Sequence, residues 1–518
     1  MTTFFQRLDP ENLKTRFWFF AFAIVFGLGF ATLSRSPIPW YDEVFMASIS
    51  ESWLASGKLA LGINELRSEE ILTYGPVYFY LQGNLFRLFE MNIYTVRLPG
   101  FLAGVGVVCI TFSLLKQWGI TSKSARVFCL ILSMDHMFGR GMYSGRMDLI
   151  AILMILLALY ALQSSHTTPL RKQTCLLCLA GALAGISCLT TPRVIFWLFG
   201  LPFFAWSAND KHPFKMAAFR ISVILSCASL LGLTWIHSAT GGLIQYIEYL
   251  TSQNQLWHHV GGKSVLRHRS EFPIYGGIVI GTFFVFKKWK CIERNKKIAF
   301  AGLFTVLVSF TLLVNEVGPY ESMILPTYIS FIAISSSVMK KQQSTVLVMA
   351  LLLATSFMFF GKKAVVFSEW QQRNPDPAFL EIQSMLKPNT SVLSDSKYFY
   401  FVRQSGAKFH SWRQIAADSS VETKDVTDST IATLLLGTDF AIIDYRKEKD
   451  LKAFVDKYGY KLKAVSRKPM RWSTPWQSIR PVKYESGYPF RIYRITSSSS
   501  NDIDESLPIQ QSPPKRVD

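Results

Sequence analysis

Long apolar segments alternate with short polar loops over the first two thirds of the chain. Eleven of these segments are predicted to cross a bilayer as helices, although several are shorter than the about 20 residues of a typical transmembrane helix. The pattern therefore predicts an α-helical, polytopic membrane protein with about eleven transmembrane helices. In chain order the segments cover residues 17–33, 96–115, 125–137, 149–162, 175–189, 194–206, 221–236, 274–286, 298–314, 324–338 and 346–360.

The loops between these segments form two alternating sets that differ in charge. One set is rich in lysine and arginine, which favours the cytoplasmic side of a membrane, and it covers residues 116–123, 171–172, 211–215, 287–297 and 340–341. The other set should lie outside, and it covers the loop around Asp42 and residues 139–147, 190–193, 238–273 and 315–323. We therefore expect a multi-pass protein of the plasma (inner) membrane, with a cytoplasmic N-terminus and an extracytoplasmic C-terminal domain.

The hydropathy pattern also predicts three regions along the chain. Residues 1–361 should form the transmembrane domain, with amphipathic helices in its first outer loop at about 42–56 and 76–89. Residues 362–496 should form a small soluble α/β domain, with strands at 391–393, 397–402, 440–444 and 490–495 and helices at 377–386 and 449–458. Residues 497–518 are rich in Ser, Asp and Pro and are predicted to be disordered.

Composition agrees with a membrane protein and argues against nucleic acid as a partner. Half of the residues are hydrophobic and only 17% are charged, with a mean hydropathy of +0.23. The net charge of +20 fits basic cytoplasmic loops and attraction to anionic lipids, whereas no basic motif typical of a nucleic-acid-binding module is present. The seven cysteines all precede residue 292, so the soluble domain is not stapled by disulfides.

Acidic residues follow the first apolar segment and precede the fourth. Asp42 and Glu43 come where the chain should emerge at the outer surface, and a carboxylate there could act as a general base. The alternative is a helix N-terminal turn, where acidic side chains complement the helix dipole. Asp148 has the same two interpretations, because it could cap the helix that starts at Leu149 with Arg146 as its salt partner.

Four outer features together resemble the integral-membrane glycosyltransferases with a GT-C fold. They are Trp40-Tyr41-Asp42-Glu43, the aromatic stretch 73–80 followed by Arg97-Leu98-Pro99-Gly100, Ser144-Gly145-Arg146-Met147-Asp148, and the basic stretch 258–269. Their order over roughly residues 15–200 is most similar to the protein O-mannosyltransferase and aminoarabinose transferase branch (glycosyltransferase family 39-like). The chain departs from that branch at Tyr74-Gly75, where aminoarabinose transferases have Lys before the loop proline, and a later motif is only partly present, as Tyr320 and Pro326.

This resemblance implies a glycosyltransferase that moves a sugar, with inversion, from a polyprenyl-phosphate-linked donor on the extracytoplasmic face. The acceptor would be a hydroxyl of a lipid, a glycan or a protein. An acceptor hydroxyl needs a base, and a departing lipid phosphate needs fixed cations. A different class of protein, a transporter or flippase for a lipid-linked or amphiphilic substrate, is the alternative. A non-catalytic assembly protein is a third hypothesis.

The roles implied for single residues fall into three groups. The catalytic group has Asp42 as general base, with Glu43 and Asp148 beside it. Cations that would bind the donor phosphate are Arg97, Arg146, Lys263, Arg267 and Arg269, and the substrate pocket would include Tyr74, Tyr78 and Tyr320. The pattern establishes no cofactor. A divalent cation held by Asp42 and Asp148 could, like the arginines, stabilise the negative charge of the departing phosphate.

Overall fold

The computed structural model describes residues 15–63, 70–207, 210–257, 271–314, 317–419, 427–465, 488 and 490–497. Their contacts divide them into two compact units, one that ends at Glu381 and one that begins at Ile382. The first unit is helical and the second contains a sheet. The predicted basic residues Lys263, Arg267 and Arg269 lie outside the described residues.

The first unit is built from helices, the last of which extends past Glu381. Their bounds are α1 Thr15–Ala31, α2 Tyr41–Ser56, α3 Val77–Phe89, α4 Ile93–Gln117, α5 Ser122–Met134, α6 His136–Tyr143, α7 Asp148–Ser165, α8 Leu170–Thr190, α9 Leu201–Phe204, α10 Pro213–Thr240, α11 Leu243–Trp257, α12 Phe272–Lys287, α13 Arg294–Leu313, α14 Val317–Ser336, α15 Lys341–Ser368 and α16 Asp376–Met385. A 3₁₀ helix at Pro192–Gly200 leads directly into α9. The predicted division at residue 361 falls inside α15.

Each of the eleven apolar segments predicted from the sequence is mostly helical in the structure. Six described helices are long and apolar enough to cross a membrane, namely α4, α7, α8, α10, α13 and α15. Shorter apolar helices cover Arg16–Ala31, Pro192–Phe204 and Phe272–Lys287. The helical fold class is therefore confirmed, whereas the number of crossings stays a prediction.

Helices α4, α7 and α8 form the packed centre behind the candidate site. The Ser187 hydroxyl of α8 donates to the carbonyl of Ala151 in α7 over 2.7 Å. Helix α4 begins with a capping box, in which the side chain of Asn92 accepts from the backbone of Thr95 and the Thr95 hydroxyl accepts from the backbone of Asn92. Such caps satisfy the exposed N–H groups of the first turn, so the start of α4, and with it Arg97, is fixed.

The second unit is an α/β structure, as predicted, and it contains a five-stranded sheet. The strands are β1 Ser391–Ser394, β2 Lys408–Ser411, β3 Phe440–Ile443, β4 Tyr460–Ala464 and β5 Arg491–Ser497, in the spatial order β2-β1-β3-β5-β4. Strand β1 runs parallel to β2 and β3, and β5 runs antiparallel to β3 and β4. The helices are α17 Phe399–Gln404, α18 Trp412–Ser419, α19 Asp428–Leu436 and α20 Glu448–Lys457.

One predicted strand of this unit is wrong. Residues 397–402 belong to a 3₁₀ turn at Ser396–Tyr398 followed by α17, and Phe399 to Val402 are all buried. A short run that is apolar on every side cannot be distinguished from a buried helix by its period. Of the tail predicted to be disordered, residues 497–518, only Ser497 belongs to the described residues, and it is the last residue of β5.

Candidate active site

Arg146 joins two carboxylates at the centre of the candidate site. Its Nε donates to Asp148 Oδ2 over 2.6 Å, and its Nη1 donates to Asp42 Oδ2. Asp42 lies in the first turn of α2, Asp148 begins α7, and Arg146 lies in the loop between α6 and α7. Residues more than a hundred positions apart therefore meet at one point, as expected if their loops share one side of the membrane.

The two carboxylates differ in exposure. The Asp42 side chain is 31% exposed, whereas that of Asp148 is 1% exposed. Met147 precedes the first residue of α7, and no side chain caps this helix, so Asp148 is not the N-cap that the alternative interpretation predicted. Because Asp148 Oδ2 accepts from Arg146, the interpretation of Arg146 as its salt partner is confirmed. Asp42 is the carboxylate that a substrate could reach.

Glu43 and Arg97 form a separate pair that is closed to solvent. Arg97 Nη2 lies 2.9 Å from Glu43 Oε2, and both side chains have no exposed surface. Arg97 Nη1 also donates to the carbonyl of Leu33 over 2.6 Å, which links α4 to the segment after α1. Successive residues of an α-helix point about 100° apart, so Glu43 faces the protein interior although its neighbour Asp42 faces the site.

Tyr78 supports the loop that carries Arg146. Its side chain is fully buried, and its hydroxyl donates to the carbonyl of Gly145 over 2.5 Å. Gly145 has a φ of +58°, and a Cβ there would meet Val96 and Glu43. The loop thus needs glycine both for its left-handed backbone and for the close approach to its neighbours.

Aromatic rings surround the Arg146 guanidinium. Its Cζ lies 5.4 Å from the ring centre of Trp40 and 4.9 Å from that of Tyr320. A second guanidinium, that of Arg193, lies 4.1 Å from the same Tyr320 ring. Arg193 Nη1 donates to the Tyr74 hydroxyl over 3.0 Å. Tyr74 and Tyr320, two of the predicted pocket residues, therefore lie together at the site, and Arg193 and Trp40 are additions that the sequence interpretation had not assigned.

Tyr74 reaches Arg193 because two backbones meet at Gly75. The Gly75 N–H donates to the carbonyl of Leu189 in the last turn of α8, and a Cβ on Gly75 would collide with that carbonyl. Carbonyls at the end of a helix have no partner inside the helix. The contact satisfies one of them and brings the segment before α3 against the start of the 3₁₀ helix.

The described residues do not form a metal centre at this point. None of their histidine, cysteine, aspartate and glutamate side chains gather in groups of three or more that could hold an ion. Asp42 and Asp148 are both bonded to Arg146, which already supplies a positive charge between them. The divalent cation stays an untested prediction, and we derive no chemical step from it.

The helical unit, the small sheet unit and this site at the helix ends together define a multi-pass membrane protein with the GT-C fold of integral-membrane glycosyltransferases. Among solved structures, ArnT from Cupriavidus metallidurans bound to undecaprenyl phosphate is similar, with a TM-score of 0.64 and 12% identity over 93% of this chain and 98% of that one. Its apo state gives 0.58 and 11% with the same shares. The Archaeoglobus fulgidus oligosaccharyltransferase in complex with Zn and sulfate gives 0.50 and 11%, over 84% and 69%.

One family model matches part of the sequence. Residues 73–235 match the model of the family described as dolichyl-phosphate-mannose-protein mannosyltransferase. Comparison with curated proteins finds no match. The resemblance predicted from the outer-loop motifs is therefore confirmed, and the matched segment contains Tyr74, Arg97, Arg146, Asp148 and Arg193.

Proposed function

We propose that this protein transfers a sugar from a polyprenyl-phosphate donor to an acceptor hydroxyl, with inversion at the sugar carbon. The observation that carries the proposal is the arrangement of Asp42, Arg146 and Asp148, in which one accessible carboxylate is held by an arginine that a buried carboxylate fixes in place. The family match and the similarity to ArnT, solved with undecaprenyl phosphate, support a lipid-linked donor.

Asp42 is the proposed general base. Its Oδ2 accepts from Arg146, whereas its Oδ1 makes no hydrogen bond with the described residues. In the proposed step the acceptor oxygen forms a bond to the anomeric carbon and its proton passes to Oδ1. The bond between that carbon and the phosphate oxygen breaks, and its electron pair leaves with the lipid phosphate. A positioned base of this kind typically contributes 10²–10⁴-fold to the rate, roughly.

Arg146 is proposed to orient Asp42 and to face the departing phosphate. A guanidinium is planar and carries several N–H groups, so it can hold two carboxylates and still offer charge to a nearby anion. The rings of Trp40 and Tyr320 restrict its movement. Lys263, Arg267 and Arg269 remain proposed phosphate contacts from the basic stretch.

Glu43, Arg97 and Tyr78 are proposed to act through their neighbours. All three are fully buried, so none of them is placed to touch a substrate. The Glu43–Arg97 pair fixes the start of α2 against α4, and Tyr78 holds the Gly145 carbonyl beside Arg146. These contacts would keep the two carboxylates and the arginine in one geometry, which is what a preorganised site needs.

Turnover of a defined donor tests the function. The full-length protein would be purified into nanodiscs and given synthetic polyprenyl-phosphate hexoses and pentoses with a mixture of hydroxyl acceptors. We expect release of free polyprenyl phosphate and attachment of the sugar to an acceptor, both followed by mass spectrometry. A transporter or flippase would move a labelled donor across the bilayer of a proteoliposome and leave its glycosidic bond intact. That result would contradict the proposal.

A further inference from the structure

Arg193 differs from the buried arginines of the helical unit because it has no acidic partner among the described residues. Arg97, Arg146, Arg220 and Arg373 each lie within salt-bridge distance of a carboxylate. Arg193 is partly buried, and no carboxylate of the described residues lies at that distance from it. A cation that is partly removed from water without a paired anion is costly to keep, which points to an anion supplied from elsewhere.

Most of the hydrogen-bonding capacity of Arg193 is unused. A guanidinium has five N–H donors, and within the described part of the chain only Nη1 has an acceptor, the Tyr74 hydroxyl at 3.0 Å. The Tyr320 ring, 4.1 Å from Cζ, holds the plane of the group. The remaining N–H groups are therefore fixed in direction and available, which is the arrangement that suits the oxygens of a phosphate.

The charge of the site also requires a second cation. Asp42, Arg146 and Asp148 together carry a net charge of −1 when both carboxylates are ionised, and such a triad would repel an anionic lipid. Arg193 lies beside them, since its guanidinium and that of Arg146 contact the same Tyr320 ring. With Arg193 included the four side chains are neutral, and Arg193 is more exposed than Arg146.

We propose that Arg193 binds the phosphate of the lipid donor and retains it as the leaving group. This inference rests on the proposed function, because it assigns a further binding residue to the same site. The ligand is a phosphate monoester or diester on a polyprenyl chain, and Arg193 would contact its non-bridging oxygens. Tyr74 and Tyr320 would act as positioning residues, which hold the guanidinium in place.

Binding of undecaprenyl phosphate tests this role without the need to know the sugar. Affinities would be measured for the full-length protein in nanodiscs, by native mass spectrometry or by a fluorescent-lipid competition. Arg193→Met should weaken binding about tenfold or more, as expected for the loss of charge-assisted hydrogen bonds. Arg193→Lys keeps the charge without the planar fork, and its affinity for undecaprenyl phosphate should lie between those of wild type and Arg193→Met.

Arg35→Met is the matched control. Arg35 also lies on an aromatic ring in the helical unit, with Cζ 3.9 Å from the centre of Trp370, and its Nη1 donates to the Trp370 carbonyl over 2.7 Å. Its removal should leave the affinity for undecaprenyl phosphate unchanged. Undecaprenol, which has the same chain without phosphate, should bind wild type and Arg193→Met equally weakly.

The outcomes separate this inference from the proposed function. If wild type does not bind undecaprenyl phosphate, the proposed donor is wrong and this inference fails with it. If wild type binds and Arg193→Met and Arg193→Lys bind equally well, only the role of Arg193 is wrong. An equal loss in Arg35→Met, or an equal loss of undecaprenol binding, would assign the effect to general charge or to the lipid chain and would also overturn the inference.

Discussion

Two adjacent acidic residues have different surroundings in this protein. Asp42 and Glu43 both lie in the first turn of α2, where negative charge complements the helix dipole. Asp42 is partly exposed and forms a salt bridge with Arg146, whereas Glu43 is fully buried and forms a salt bridge with Arg97. The helix-terminus interpretation and the catalytic interpretation of this pair are therefore compatible, because the dipole acts on both residues while only one of them reaches the site.

Removal of Arg146 should damage both folding and activity. In Arg146→Met the Asp148 carboxylate, 1% exposed, loses its only hydrogen-bond partner among the described residues. Breaking a buried pair in this way typically costs about 3–5 kcal/mol. We expect a clearly lower midpoint of thermal unfolding and no sugar transfer. Arg146→Lys should recover stability more than activity, because an ammonium cannot hold both carboxylates as a fork does.

Exposed Arg87 provides the control for this pair of variants, since Arg87→Met should change neither property. Thermal unfolding followed by tryptophan fluorescence, with sugar transfer on the same samples, would check the result. An Arg146→Met protein as stable and as active as wild type would contradict the central position given to this arginine.

Tyr78→Phe isolates the support of the Gly145 loop. The change keeps the ring but removes two hydrogen bonds, the one that the hydroxyl donates to the Gly145 carbonyl and the one that it accepts from Gln82 Nε2. Gln82 Nε2 still donates to the Val96 carbonyl, and each lost hydrogen bond costs about 0.5–1.5 kcal/mol, so the protein should remain folded. We expect a lower kcat with little change in KM, because the loop holds Arg146. Tyr80→Phe on the same helix, at a residue that is 41% exposed, should have no effect. A pure change of KM would indicate instead that Tyr78 contacts the substrate.

The sequence predicted the members of the site better than their partners. Asp42, Arg146, Asp148, Tyr74 and Tyr320 were all assigned from motifs, and they meet in the structure. Arg193 was only one residue of a predicted outer loop, because its contacts depend on the approach of Gly75 to Leu189. No local pattern records such a contact between distant backbones.

At the scale of elements, the Glu43–Arg97 pair joins α2 to α4. Arg97 also bonds the carbonyl of Leu33, so three segments depend on one guanidinium. The family motif predicts that Arg97 contacts the donor phosphate. A motif cannot, however, distinguish a ligand contact from a buried structural pair. Burial decides between them only when the packing of the helices is known.

Arg97→Met should destabilise the helical unit more than Glu43→Gln. The first change removes the guanidinium that neutralises the buried Glu43 carboxylate and bonds the Leu33 carbonyl, at about 3–5 kcal/mol. The second change leaves an amide oxygen that can still accept from Arg97. Thermal unfolding in nanodiscs would measure both. Glu51→Gln, further along α2, is the control. Equal stability of Arg97→Met and wild type, together with weaker donor binding, would return Arg97 to the phosphate role.

Helices were predicted more reliably than strands for a physical reason. The length of an apolar segment and the charge of its flanks predict from the sequence alone where a helix lies and which of its ends is cytoplasmic. The short elements of the second unit carry no such signal, so β2 and β4 were missed and 397–402 was given the wrong type. Tertiary packing decides the conformation of such short runs.

At the scale of the whole molecule, the second unit has its own charged network. Asp444, just after β3, accepts from Lys397 over 2.6 Å and from Arg446, and Asp395, just after β1, accepts from Trp412 over 3.0 Å. Burial raises the pKa of Asp444, but its hydrogen bonds with Arg446 and Lys397 outweigh burial and hold the pKa well below its usual range. Burial lowers the pKa of Lys397 to about 8 despite this pairing.

The stability of this unit should fall in acid. Asp444 has a lower pKa in the folded state than in the unfolded state, so its contribution is fully present above about pH 4 and is lost as the pH falls below that value. Hydrogen exchange of β3 in the full-length protein, corrected for intrinsic rates, would follow the loss. Asp444→Asn should flatten this dependence, whereas Asp428→Asn, at a 72% exposed residue, should not. An identical acid profile in Asp444→Asn would assign the loss to other groups.

Replacement of Asp42 by asparagine tests the central claim most directly. Asp42→Asn keeps the size of the side chain and its contact with Arg146 but removes the base. Sugar transfer would be measured in nanodiscs with a polyprenyl-phosphate sugar that wild type uses, beside undecaprenyl phosphate affinity and thermal unfolding. We predict a roughly 10²–10⁴-fold lower kcat, with folding and lipid binding retained and a trace of activity in Asp42→Glu. A folded Asp42→Asn protein that turns over like wild type would contradict the account.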